Sequence, residues 1–405
     1  MPVLRNIGTL VTGTPAELES ASDHVQAAAI AWRDGRIEWT GPDDDLPSGY
    51  ETDETHDARG LLVAPGLIDA HTHLCFGGWR ADEFEQRCRG AGYLEIARAG
   101  GGIMRTVRQT READDDALLS SALERLRAMA RIGVTTVECK SGYGLTLDDE
   151  LRILRVYRRL KDLQPVRIVA TLLGAHVVPT EFSNDRAGYV DLVRDEMIPA
   201  VASDRLATFC DVFVEEGAFT ADEARAIFVA ASDHGLIPKL HVDQLSDGHG
   251  AALAAEVGAA SADHLEHASE NGMTRMVDAG VVPVTLPVAS LYLRQKPLDA
   301  RAWIASGAEV AVATDLNPGS APTYHLPLAM TLACTMNGMT PLEALHGATR
   351  VAARAIRLDH EVGSLEPGKS ADFILVDAPS VNHWIYHFRP NQVVATCIGG
   401  HVTTW

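Results

Sequence analysis

The sequence predicts a parallel (β/α)8 barrel with a small discontinuous β-sandwich domain built from both chain ends. Three observations predict it. Between residues 65 and 363, apolar β-branched runs alternate with Ala-rich, helix-like runs. There are eight strand candidates, with starts roughly 20 to 40 residues apart, the size of a βα unit. Residues 1–64 and 364–405 change to short strands and turns. A doubly wound open sheet is the structural alternative, but eight repeating units can close into a barrel.

The elements follow in order. The 405 residues, 46% of them hydrophobic, can bury one large barrel core and an accessory piece. "AAIAWRDGRIEWTG" (28–41) reads as two strands joined by an Asp-Gly turn, and "DDDLPSGYETDETHD" (43–57) as a solvated loop. The barrel strands are then "LIDAHTH" (67–73), "GVTTVECKSG" (133–142), "VRIVATLLGAH" (166–176) and "CDVFVEEG" (210–217). "IPKLHVDQ" (237–244), "ASADHLEH" (260–267), "VVPVTLP" (281–287) and "EVAVATDLNPG" (309–319) complete the eight. "DDALLSSALERLRAMARI" (115–132) and "LDDELRILRVYRRLKDL" (147–163) read as helices between strands. "GGGI" (100–103) lacks the Lys and Ser/Thr of a phosphate loop and reads as a turn. "GSLEPGKSADFILVDAP" (363–379) and "PNQVVATCIGGHVTTW" (390–405) read as strands that pair with the N-terminal ones.

The formal net charge of −20 argues against nucleic acid or anionic membranes as partners. No stretch approaches the roughly 20 apolar residues of a membrane span. "MPVLRNIGTLVTG" has no basic segment followed by a long apolar block, so a cytosolic location is expected. The six cysteines (Cys75, Cys88, Cys139, Cys210, Cys334, Cys397) form no CxxC pair and read as reduced core thiols.

Polar residues cluster at the C-terminal ends of the strand candidates, the face where barrels of this class carry their chemistry. His71 and His73 close the first strand, and residues two apart on a strand share a face. His241 ends the fifth strand and Asp315 the eighth. Three imidazoles and a carboxylate suit zinc or ferrous iron, with a position left for water. Bound to such a cation, water loses its proton near neutral pH. Asp315 could then accept that proton and pass it to a leaving nitrogen. His264, ending the sixth strand, could hydrogen-bond the developing oxyanion. His267 reads as structural and His249 as solvent-facing on the helix after strand five.

"DAHTH", His241, His264 and Asp315 together resemble the amidohydrolase superfamily of metal-dependent hydrolases. "HTHLCFGGWRADEFEQRCRGAGYLEIARAGGGIMRTVRQTR" is similar to the imidazolonepropionase family within it, as are "ECKSGYGL", "LLGAH", "DVFVEEGAF", "HVDQLS", "ADHLEH" and "ATDLNPGS". The resemblance covers nearly the whole chain, and the number and order of the short motifs make it specific. It implies hydrolytic ring opening of 4-imidazolone-5-propanoate to N-formimidoyl-L-glutamate, a step of histidine degradation, with one divalent ion, zinc or iron. It places metal ligands at His71, His73, His241 and Asp315, and substrate contacts at Arg80, Tyr143, His176, Gln244, Asn317, Gly319 and Ser320. Arg80 offers a fork of donors to the substrate carboxylate. Tyr143 and His176 are expected to donate hydrogen bonds, and the backbone around Gly319 and Ser320 to approach the substrate closely. The family often has glutamate where this chain has Gln244; an amide can still bind the ring but cannot readily shuttle protons. Barrels of this kind commonly pair, so a homodimer is expected.

Two other readings compete. A related aminohydrolase acting on a heterocyclic base would use a glutamate at the position of Gln244 and would have little use for Arg80. A non-catalytic binding barrel would be expected to have lost metal ligands, and this chain keeps all four.

Overall fold

The computed structural model of the chain describes residues 2–19, 24–50, 54–91 and 99–405. Residues 51–53 of the acidic stretch and 92–98 of "GYLEIARAG" therefore lie outside the described residues.

The chain begins in a sheet. β1 (Val3–Leu10), β2 (Val25–Arg33), β3 (Arg36–Pro42), β4 (Thr55–Asp57) and β5 (Leu62–Pro65) come from the N-terminal segment. β2 and β3 pair antiparallel across Asp34 and Gly35, both at positive φ (50° and 76°), the geometry of the expected tight turn. The described residues of the acidic stretch are exposed or half-exposed, as expected, but they include a short turn at 43–45 and a strand at 55–57. Asp43 accepts from the Arg5 Nε (2.7 Å) and the Asn6 amide (3.1 Å), and β4 pairs in parallel with β1.

Eight parallel strands follow in sequential order: β6 (Leu67–Thr72), β7 (Val134–Lys140), β8 (Arg167–Ala175), β9 (Phe209–Val214), β10 (Ile237–Val242), β11 (Ser261–His264), β12 (Val282–Thr285) and β13 (Ala311–Val312). Nearly every residue on them is buried, as expected for strands covered on both faces. The sheet closes on itself between β6 and the segment after β13. There the His73 amide donates to Leu316 O (2.8 Å) and the Asp315 amide to His71 O (3.1 Å). The eighth strand is shorter than "EVAVATDLNPG" suggested and ends at Val312; Asp315, beyond it, adopts φ +57°. The two helices expected from sequence span Asp115–Arg131 and Leu147–Leu160, capped by Asp114 and Thr146.

β14 (Phe373–Val376), β15 (Val393–Ile398) and β16 (His401–Thr404) return to the first sheet, giving the order β16-β15-β14-β5-β1-β2-β3 with β4 beside β1. This is the expected accessory β-layer from both termini, with its own apolar core around Leu4, Ile30, Trp32, Val63 and Phe373. It is bonded onto the barrel. Arg167 Nη1 donates to Asp372 Oδ2 (2.8 Å), and Thr396 Oγ1 to Ala130 O (2.8 Å). Among the described residues no helix is long and apolar enough to cross a membrane.

Candidate metal centre

Five side chains from five points of the barrel rim converge. His71 lies on β6 and His73 one residue beyond its end; His241 lies on β10, His264 ends β11, and Asp315 follows β13. All five are buried. Ligand atoms of His71, His73 and Asp315 fall within 4.8 Å of one another, and so do those of His71, His241 and His264. Asp315 Oδ1 stands 3.4 Å from His71 Nε2 and 3.5 Å from His73 Nε2; His241 Nε2 stands 3.4 Å from His73 Nε2. The structure thus brings together the four expected ligands with His264 beside them.

The far nitrogens of two rings are fixed from behind. His71 Nδ1 lies 2.6 Å from Asp263 Oδ2, and His241 Nδ1 lies 3.1 Å from Asp211 Oδ1. A carboxylate there accepts from Nδ1–H and turns each Nε2 toward the centre; His241, a neutral ring, keeps a lone pair there. His71 Nε2 is buried and has no hydrogen-bond partner among the described residues. His73 Nδ1 is buried with no hydrogen-bond partner among the described residues, and its Nε2 faces both His241 Nε2 and Asp315 Oδ1. The donor set of imidazole and carboxylate fits a divalent metal.

Electrostatics agree. Burial pushes His73 down and His241 well down, so both rings are neutral. For His71, burial and Lys140 act downward, but Asp263 and Asp315 outweigh them and lift it to about 8. A cation binding there therefore displaces a proton. Burial acts upward on Asp315, yet His71 and His73 hold it well below the usual carboxylate range.

The supporting carboxylates were not among the residues singled out from sequence. Asp211, Asp263, Glu138, Lys140 and Lys239 are all fully buried in barrel strands. Their signal was a charge inside an otherwise apolar run, as in "VECK", "CDVFV" and "SADH". Such a charge is hardly ever buried unpaired. Behind His264 stands Glu266, whose Oε2 lies 3.8 Å from His264 Nδ1, while Ser290 Oγ donates to its Oε1 (3.0 Å).

Beside the centre lies Arg80, on an anchored loop. Arg125 donates to Leu74 O (2.7 Å), with its guanidinium 3.6 Å from the Phe76 ring centre; Gly77 donates to Thr110 Oγ1 (3.0 Å). The Arg80 side chain is only 12% exposed; its Nε has no hydrogen-bond partner among the described residues and pairs with Glu83 at 3.8 Å. Its guanidinium lies against Gly319, where a Cβ would collide with Nη2. Tyr143 feels the charges of both Arg80 and Asp315, and its ring centre lies 5.7 Å from that of His73.

Three expectations change. His176 Nδ1 lies 2.9 Å from Gly142 O, and a carbonyl can only accept, so Nδ1 carries the proton. Burial drops this ring to about 3, so it is neutral and its Nε2 accepts rather than donates. Asn317 is engaged within its own turn. Its Nδ2 donates to Asp315 O (2.7 Å) and Ser320 Oγ (2.9 Å), and its Oδ1 accepts from the Gly319 and Ser320 amides (2.8 and 2.7 Å). Asn317 thus shapes the loop after Asp315, and the Gly319 and Ser320 amides both donate to it. Gln244 is half-buried on the loop after β10, held there by Glu215, which accepts from the Leu245 amide (2.8 Å) and Ser246 Oγ (2.5 Å). His249 and His267 are exposed and outside the cluster.

Comparison with known proteins agrees with this geometry. Residues 62–403 match the model of the amidohydrolase family. The chain is 47% identical to the imidazolonepropionase of Geobacillus kaustophilus over 98% of this chain and 96% of the relative. It is 46% identical to that of Brevibacillus brevis, over 96% and 93%. Among solved structures it is similar in fold to a guanine deaminase of E. coli (TM-score 0.73, 15% identity, 100% and 99% covered). It is likewise similar to an adenosine deaminase of Xanthomonas campestris with bound zinc (TM-score 0.71, 17% identity, 99% and 92% covered).

Proposed function

The chain belongs to the amidohydrolase family, and from that premise we propose that it hydrolyses the ring amide of 4-imidazolone-5-propanoate to N-formimidoyl-L-glutamate, in histidine degradation. One observation carries the reading. A hydrolytic metal-ligand set lies close to a largely buried arginine, Arg80, whose Nε makes no hydrogen bond among the described residues and only a 3.8 Å ion pair with Glu83. The first suits attack by water on a carbonyl; the second suits a substrate that carries a carboxylate. The curated relatives, matched along almost the whole chain, support that substrate.

A divalent ion, zinc or iron, held by His71, His73, His241 and Asp315 would supply the Lewis acid that acidifies water and polarises the ring carbonyl. Arg80 grips the propanoate and sets the ring's register. Burial keeps the Tyr143 phenol protonated, so it donates to the substrate. His176 Nε2 accepts from a ring N–H, and the Gln244 amide both donates and accepts at the ring edge. His264 donates to the carbonyl oxygen as negative charge develops on it. Asp315 takes a proton from the attacking water and returns it to the ring nitrogen as the C–N bond breaks. One water is consumed: its hydroxyl ends on the carbonyl carbon and its proton on the nitrogen. The proposal extends to a catalytic barrel of residues 65–363, an accessory domain of residues 1–64 and 364–405, one ion per chain, a cytosolic homodimer and no nucleic-acid partner.

The direct test supplies enzymatically made 4-imidazolone-5-propanoate to metal-loaded protein and follows loss of its ultraviolet absorbance. An unchanged spectrum, with one metal bound per chain, would remove the assignment. In the same assay His264→Ala is expected to lower kcat about 10²-fold with little change in KM, the size of losing one oxyanion donor. A fall confined to KM would make His264 a binding residue instead.

A further inference from the structure

Two of the proposed ligand histidines lean on carboxylates that share a single ammonium. Lys140 Nζ donates to Asp211 Oδ2 (2.7 Å) and to Glu138 Oε1 (3.0 Å), and lies 3.6 Å from Asp263 Oδ2. Asp211 turns its other oxygen to His241 Nδ1, and Asp263 turns the same oxygen, Oδ2, to His71 Nδ1. Lys140 is therefore one residue removed from both rings, although His71 and His241 stand on β6 and β10, four places apart in the strand order. It is fully buried in the barrel and has no part in the chemistry above.

We infer that Lys140 is a positioning residue for the metal: by tethering Asp211 and Asp263 it holds His241 and His71 with Nε2 toward the centre before an ion arrives. The inference rests on the four-ligand reading of the site. Its physical basis is repulsion in a low-dielectric interior. Without the shared ammonium, two carboxylates packed into one buried layer push apart, and each turns from its imidazole. A ring released at Nδ1 can flip, which trades the inward Nε2 for a carbon edge. The centre then has to be ordered by the ion itself, at a cost in affinity.

The other buried ammonium in this layer provides the control. Lys239 Nζ donates to Ser261 Oγ (2.6 Å) and stands 3.8 Å from Asp263 Oδ2, so it reaches the His71 side alone. Each lysine is a buried charge, so a purely structural role would make Lys140→Met and Lys239→Met alike. The positioning role makes them differ.

The experiment measures zinc affinity of the full-length protein by competition with a chromophoric chelator, with far-ultraviolet circular dichroism as the check on fold. Lys140→Met is expected to weaken zinc binding about 10- to 100-fold, the range for supporting residues of metal sites. Lys239→Met should stay within about threefold of the parent, and Lys140→Gln, which keeps a donor toward Asp211, should fall between. Folded Lys140→Met with parental affinity, or equal losses in both lysine variants, overturns the inference. If Lys140→Met does not fold, Lys140→Gln carries the comparison. Failure of both to fold with zinc supplied also overturns it, since the residue would then serve folding alone. If the parent itself takes up no zinc, the site reading fails rather than this one.

Discussion

Asp315→Asn is expected to lower kcat about 10³-fold or more, measured with metal content determined on the same sample. The carboxylate has two tasks, one as a ligand beside His71 and His73 and one as the carrier of a proton from water to the leaving nitrogen. An amide can retain part of the first and none of the second. General acid–base transfer alone is commonly about 10²–10⁴-fold. The substitution also isolates chemistry from fold better than most. Residue 315 sits at φ +57°, a conformation asparagine tolerates about as well as aspartate. The backbone bond from residue 315 to His71 O, which helps close the barrel, involves no side chain. Acting through the proton, the loss should persist when metal is restored to full occupancy. A fully loaded variant with more than about a tenth of the parental kcat would place the proton carrier elsewhere.

What could be read from the sequence depended on whether the signal was local. His71 and His73 share a face because strand periodicity is two, and that rule needs no tertiary information. His241, His264 and Asp315 were found because strand ends in a closed barrel are equivalent places, so counting strands was enough. The layer behind them was not legible in this way. Asp263 meets His71 across 192 positions of sequence, and Asp211 meets His241 across 30. Nothing in either run says which carboxylate faces which ring. Direction of hydrogen bonding was also hidden. His176 was expected to donate, yet the Gly142 carbonyl claims its only proton. Asn317 looked like a ligand for substrate, and only the fold shows both its amide atoms closing the turn that carries Gly319 and Ser320. The described part of the acidic stretch is solvent-exposed, as its charge density suggested, but the sequence did not show that Asp43 bonds back to β1 through Arg5 and the Asn6 amide.

Arg80→Met is expected to raise KM for 4-imidazolone-5-propanoate about 10²-fold while kcat changes little. Truncating one partner of a desolvated, hydrogen-bonded charge pair costs about 2–5 kcal/mol, and about 3 kcal/mol corresponds to that factor. The propanoate is remote from the bond that breaks, so its grip is shared by ground and transition states and is read in KM. Arg80→Lys should recover only part of the loss, because an ammonium replaces a planar fork with a point charge. Gly319→Ala tests the same assignment without touching the guanidinium. The added methyl would occupy the position of Arg80 Nη2, so the arginine must move although its charge remains. KM should rise about 10-fold with metal content unchanged, the effect of misplacing rather than deleting the fork. An analogue lacking the carboxylate should be indifferent to both substitutions, because the arm they disturb has nothing to hold. If the two variants instead leave KM for the natural substrate unaltered, the guanidinium faces some other group and the anion is held elsewhere in the mouth. If the carboxylate-free analogue loses as much as the natural substrate, Arg80 acts on the loop that carries it and not on the ligand.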